Sequence, residues 1–241
     1  MSAMELMDYN TLQLVRAHGF GGNDGGSRLL HDLLQSYPSN QQSERSRPLY
    51  LLVETQGSNS VDDTSKMDNF LTRLFDSETI QNGFLAQDSR QQLEMWNIRE
   101  SCNPCVAQAG CVYKFDISIP IEEYMEVAWE VERELLASMK DVDLIVCVWG
   151  HVNDGNAHMN IVTKGRFKKE SAIAEIIETT VFDAVLRRSG SISAEHGLGQ
   201  KKNEAMSRIK GQNVLDVMGQ IKVLFDPHGI MNPGKYLPKK Y

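Results

Sequence analysis

Two alternating runs joined by Asp154-Gly155 restrict residues 144–163 more tightly than any other part of this chain. Val146, Val148, Val152, Ala157, Met159 and Ile161 fall on one face; Trp149, His151, His158, Asn160 and Val162 fall on the other. Alternation of period two marks strands, and Asp-Gly between two such runs is a strong hairpin signal. With Asp154 and Gly155 as a two-residue loop, Asn153 pairs with Asn156, Val152 faces Ala157, and His151 stands directly across from His158. Directly opposed Cβ atoms lie about 4.5–5.5 Å apart. That spacing lets two imidazoles share one cation, whereas a one-residue slip would turn both into the core.

The remaining sequence interleaves helical and extended patterns. Residues 2–15 read as a helix, with Ser2 and Glu5 at capping-box spacing ahead of Leu6, Met7, Leu12 and Val15. Residues 19–27, GFGGNDGGS, form a flexible connection; no Lys-Ser/Thr follows, and the spacing of a dinucleotide turn is missing. The polar stretch 38–48 reads as mobile. Strands are expected at 50–53, 83–86 and 111–119. Helices are expected at 62–76, 89–102, after Pro120, at 168–188 and at 212–225, the last burying Val214, Val217, Met218, Ile221 and Phe225. The class is α+β, an antiparallel sheet with helices plus a C-terminal helical segment. Residues 1–47 form an N-terminal helix and flexible loop, and 48–241 the main domain.

Composition narrows the function. Lys and Arg number 25 against 32 Asp and Glu, a net charge of −7, which argues against nucleic-acid or anionic-membrane partners. No apolar run is long enough to span a bilayer. The start carries neither a secretory signal nor an Arg-rich transit peptide. Four cysteines in 241 residues do not make a secreted disulfide scaffold, so a reducing compartment is expected. Cys102 and Cys105 form a C-x-x-C without a second pair at metal spacing, and all four are expected as free thiols.

Two histidines need a third ligand to hold a metal. The stretch 190–199, GSISAEHGLG, offers Glu195 in a glycine-rich turn after a helix. Two histidines and a carboxylate leave an open coordination position, as in catalytic zinc sites. His196 beside them is suited to proton transfer near neutrality. The alternative for this stretch is a turn bearing two solvated polar residues. Arg99 and Asn103 lie one helical turn apart beside Trp96, and Lys114 is the lone cation of its strand; together they could clamp a carboxylate, or stand as solvated polar groups.

Five blocks then carry a resemblance: WNIRE (96–100), GCVYKFDISIP (110–120), GHVNDGNAHMNI (150–161), GSISAEHGLGQKK (190–202) and FDPHGIMNPGKYLP (225–238). In order and interval they resemble the C-terminal half of FAD-linked 2-hydroxyacid dehydrogenases, most closely those acting on D-2-hydroxyglutarate, then those acting on glycolate or D-lactate. The resemblance implies FAD as cofactor and zinc or a similar divalent ion on His151, His158 and Glu195. It further implies substrate binding by Arg99, Asn103, Lys114, Asn160 and His196, with His196 as general base and Asn232 near the flavin. In mitochondrial members electrons leave through an electron-transfer flavoprotein, so a mitochondrial location is implied. Three departures stand out: Asn103 replaces a Thr, Asn153 replaces a Gly, and Pro104 interrupts a helix that normally continues. Members are longer and carry an N-terminal half that binds most of the FAD, so this chain alone is expected to be colourless, inactive and prone to self-association. The expected function is FAD-dependent oxidation of D-2-hydroxyglutarate to 2-oxoglutarate, with D-lactate or glycolate as the alternative substrate. Its competitor is a metal- and ligand-binding module without catalysis of its own.

Overall fold

The computed structural model describes residues 2–19, 27–35 and 44–238. The stretches 20–26 and 38–43, expected as mobile connections, lie outside the described residues. The chain divides into two units, Met1–Ile192 and Ser193–Tyr241.

The first unit is built on a five-stranded antiparallel sheet in the order β2-β1-β4-β5-β3, as the α+β expectation requires. Its strands are β1 (Ala3–Asp8), β2 (Leu49–Glu54), β3 (Gly110–Ser118), β4 (Leu144–His151) and β5 (Asn156–Lys164). The opening residues correct the helical expectation, because 3–8 form a strand paired on one side with β2 and on the other with β4. Ser2 takes no part in a capping box; its backbone N–H and its hydroxyl both donate to Glu54, at 2.8 and 2.7 Å. Ladder bonds on both sides satisfy the backbone of 3–8, and such tertiary pairing overrides a weak local helix preference. The helix starts later, as α1 (Tyr9–His18), where the Asp8 carboxylate accepts from the Thr11 N–H at 2.9 Å.

The β4–β5 hairpin exists, but its register differs by two residues from the expected one. His158 stands opposite Trp149, not His151. A two-residue turn of the expected kind needs both Asp154 and Gly155 at positive φ, and only Gly155 adopts it, at 70°. Instead Val152–Asp154 forms one 3₁₀ turn closed by Gly155 N–H to Val152 O, which lengthens the connection. Because the slip is by two, each side chain keeps its face.

One face of the sheet, with Met7, Cys147, Trp149 and Val162, packs under α1, α2 (Arg28–Gln35), α4 (Ser89–Glu100) and α5 (Cys102–Val106) through Leu12, Val15, Leu30, Leu34, Ile98 and Val106. The opposite face carries Phe115, Val146, Val148, Met159 and Ile161, all buried, under α6 (Tyr124–Ser138) and α7 (Ser171–Leu186). Phe115 meets Phe182 of α7 edge to face, and the Tyr124 hydroxyl donates to Asn156 O at 2.8 Å. Residues 83–86 form no strand, since no ladder partner meets them. Helix α3 (Ser60–Asp76) forms where expected but buries no residue, and Phe70 and Phe75 on its apolar stripe stay exposed.

The second unit carries α8 (Met206–Ile209) and α9 (Gln212–Phe225). Helix α9 has the expected limits but not the expected buried set. Leu215 and Gly219 are buried, while Val214, Val217, Ile221 and Phe225 are exposed, Phe225 at 76%. The helix rests on its narrow Leu215/Gly219 line, and its wide apolar stripe faces outward. No helix among the described residues is long and apolar enough to cross a membrane.

Candidate substrate and metal site

The sheet face beneath α1, α4 and α5 is apolar along most of its length and turns polar at the hairpin end. Antiparallel pairing brings Glu5 of β1 against His151 of β4, and Asp116 and Lys114 of β3 against His158 and Asn160 of β5. Pleat parity puts all six side chains on one face.

Glu5 anchors this end. Its Oε1 lies 2.7 Å from His151 Nδ1, and its Oε2 accepts from Arg99 Nε at 2.9 Å and pairs with Nη2 at 2.8 Å. The Glu5 and Arg99 side chains are only 7% and 10% exposed. Truncating one partner of a buried pair like this strands the other charge, at a cost of about 3–5 kcal/mol. Arg99 is therefore not the solvated cation of the alternative expectation; it is a buried guanidinium with its fork turned onto Glu5. Nor does it share a helix with Asn103. Helix α4 ends at Glu100, and Pro104 lies inside the separate short helix α5.

The two histidine rings stand 5.3 Å apart between centroids at 85° to each other, a diagonal contact replacing the expected direct pair. His158 Nδ1 lies 3.9 Å from Asp116 Oδ1. Each imidazole thus has a carboxylate at its Nδ1 side, within hydrogen-bond reach at His151 and farther off at His158; such a bond fixes ring orientation and leaves Nε2 as the ligand atom in histidine metal sites. Beside them Lys114 Nζ donates to Asn103 Oδ1 at 2.7 Å, and the buried Asn160 amide donates to His158 O at 3.0 Å.

Glu5 and Asp116 are functional candidates that the sequence reasoning missed. Asp116 carried a usable signal, since it alternates with Lys114 on the polar side of a strand; only its pairing with His158 was hidden. Glu5 carried none, because its segment reads as helix.

Glu195 and His196 belong to the second unit, in a loop where His196 Nε2 lies 3.4 Å from Glu195 Oε1 and both side chains are about half exposed or more. Tyr236 N–H donates to Gly199 O at 2.8 Å and the Asn203 amide to Gly234 O at 3.1 Å, tying this loop to the segment with Asn232. Asn232 is exposed in the left-handed region at φ 48°, which asparagine tolerates. Within its own unit the structure therefore joins the Glu195–His196 loop to the NPGK segment, as it joins His151, His158 and Arg99 within the first.

Burial shapes the acid–base character around the site. Desolvation pushes the Cys102 thiol up to about 12 and raises those of Cys105 and Cys147. All four cysteines are free and buried, as expected from their spacing. Burial also lifts the Tyr124 hydroxyl, and it brings Asp8 to about 6 against the Thr11 N–H hydrogen bond that favours its ionised form.

Comparison with known proteins identifies the family of this chain. Residues 1–236 match the family model described as FAD linked oxidases, C-terminal domain. The chain is 33% identical over 238 residues to a mitochondrial D-2-hydroxyglutarate dehydrogenase of Bos taurus, covering 99% of this chain and 39% of that one. It is 36% identical over 244 residues to a putative mitochondrial D-lactate dehydrogenase of Schizosaccharomyces pombe, covering 98% and 42%. A D-2-hydroxyglutarate–pyruvate transhydrogenase of Saccharomyces cerevisiae is 34% identical over 199 residues, covering 80% and 40%. The chain thus spans well under half the length of these relatives.

Proposed function

Since this chain belongs to the FAD-linked oxidases through their C-terminal domain, we propose that it supplies the substrate- and metal-binding part of an FAD-dependent D-2-hydroxyacid dehydrogenase. The substrate is D-2-hydroxyglutarate and the product 2-oxoglutarate. One observation carries this reading: two imidazoles meet on one sheet face, each with a carboxylate at its Nδ1 side.

That donor set suits zinc or a similar divalent ion. His151 and His158 hold it with Glu195 as third ligand, and three protein ligands leave a position for substrate. When bound, the ion supplies Lewis acidity toward a substrate oxygen and FAD supplies the hydride acceptor. The chain's own residues do the rest. Arg99, Lys114 and Asn160 hold the substrate's carboxylates and hydroxyl, and Asn103 steadies Lys114 by accepting from its Nζ at 2.7 Å. His196 takes the proton of the C2 hydroxyl as general base, and Asn232 borders the flavin. The names of the relatives support a mitochondrial setting; the family resemblance suggests an electron-transfer flavoprotein as acceptor. The outward apolar stripe of α9 supports self-association of the 241-residue chain.

Elemental analysis of the purified chain against His158→Ala tests the metal site. The wild type is expected to retain about one divalent ion per chain and the variant to lose it; equal content in the two overturns the site.

A further inference from the structure

Glu5 is a buried carboxylate of the first unit that contacts two of the proposed site groups at once. Oε1 meets the imidazole of His151 at 2.7 Å, and Oε2 meets the guanidinium of Arg99 at 2.9 and 2.8 Å. Three elements distant in sequence converge on it: β1, the last turn of α4 and the end of β4. A buried glutamate is stable only when its oxygens are satisfied, and here one oxygen goes to each partner. The side chain is 7% exposed, so solvent does not compete for it.

From this geometry we infer that Glu5 is a positioning residue that fixes the metal-ligand histidine and the carboxylate-receiving arginine relative to each other. Acceptance at Oε1 holds His151 with its proton on Nδ1, so Nε2 carries the lone pair that a metal needs. Acceptance at Oε2 from both Nε and Nη2 turns the guanidinium so that Nη1 is left for a second carboxylate. Moving Glu5 therefore moves both halves of the site. His158 has Asp116 as its neighbour instead, with Nδ1 3.9 Å from Oδ1, so the two imidazoles face different carboxylates.

The inference rests on the proposed metal site, and the test separates the two. Wild type, Glu5→Gln and Glu5→Asp are prepared as the full 241-residue chain. Glu5→Asp keeps a charge beside Arg99, and so the fold, but its carboxylate is one methylene too short to meet both partners. Two readouts are taken. Nitrogen-15 NMR of the labelled histidines above neutral pH reports the His151 tautomer without any metal. Titration with cobalt(II), followed by its visible absorption, reports ion affinity. The expected result is the Nδ1–H tautomer in wild type and its loss in both variants, with cobalt affinity lowered about 10–100-fold. An unchanged tautomer in the variants overturns the role of Glu5, as does cobalt affinity within about twofold of wild type. Wild type that takes up no cobalt overturns the metal site itself, and with it the inference, whatever the tautomer shows.

Discussion

Replacing Asp8 by Asn removes a charge that the fold holds at a cost. Asp8 ends β1 and caps α1, with its carboxylate accepting from the Thr11 N–H at 2.9 Å. It is 7% exposed, and burial raises its pKa from 3.8 to about 6. A raised carboxyl pKa means that the native state holds the proton more tightly than the unfolded chain. The stabilisation this gives is complete below the unfolded pKa and is lost as pH rises through about 6. A shift from 3.8 to about 6 corresponds to ~3 kcal/mol, at ~1.4 kcal/mol per tenfold in proton affinity. Asparagine caps a helix as well as aspartate does, so Asp8→Asn keeps the Thr11 bond. It cannot ionise, but it buries an amide N–H₂ that costs about 1–3 kcal/mol if it finds no acceptor. The absolute change at one pH therefore mixes two effects, while its pH dependence isolates one. Urea unfolding of both proteins between about pH 4 and pH 7 should show Asp8→Asn gaining about 2 kcal/mol on wild type as pH rises. A difference between the two proteins that stays constant across this range would refute the argument that burial of Asp8 sets its titration.

Three further outcomes are expected. Gly155→Ala places a Cβ 2.2 Å from Ile119 O on a backbone at φ 70°, so it should destabilise the chain by more than ~1 kcal/mol, read as a lowered urea midpoint at unchanged slope. The four thiols should resist an aromatic disulfide reagent in the native chain and react at once in denaturant, because all are buried and free; fast labelling of Cys102 in native protein would contradict its pKa of about 12. In flavin-reconstituted enzyme D-2-hydroxyglutarate should bind about 10–150-fold more tightly than D-lactate, and Lys114→Met should erase that preference. Equal calorimetric affinities for the two acids would favour the D-lactate activity in the name of the Schizosaccharomyces pombe relative.

Several features were legible in the sequence because they depend on local periodicity. Alternation marked β3, β4 and β5, and helical spacing marked α3, α4, α7 and α9, within a few residues of their observed limits. The placement of His151 and His158 on one face survived a register error because a two-residue slip leaves pleat parity intact. Lys114 stands beside Asn160 only because β3 pairs with β5, which the alternation of either strand does not report. Three features were decided only by tertiary structure. Residues 3–8 became a strand because β2 and β4 supply ladder partners 40 and more residues away, and no local pattern reports a partner at that distance. Arg99 became a buried, paired guanidinium because that strand delivers Glu5 to it. The stripe of α9, expected in a core, stands outward because hydrophobic spacing reveals that a face is apolar and not what covers it. Short-range periodicity thus determined which faces the functional side chains share. Long-range strand pairing decided which carboxylate stands behind each of them, since that choice depends on chain segments whose meeting is settled only when the sheet closes.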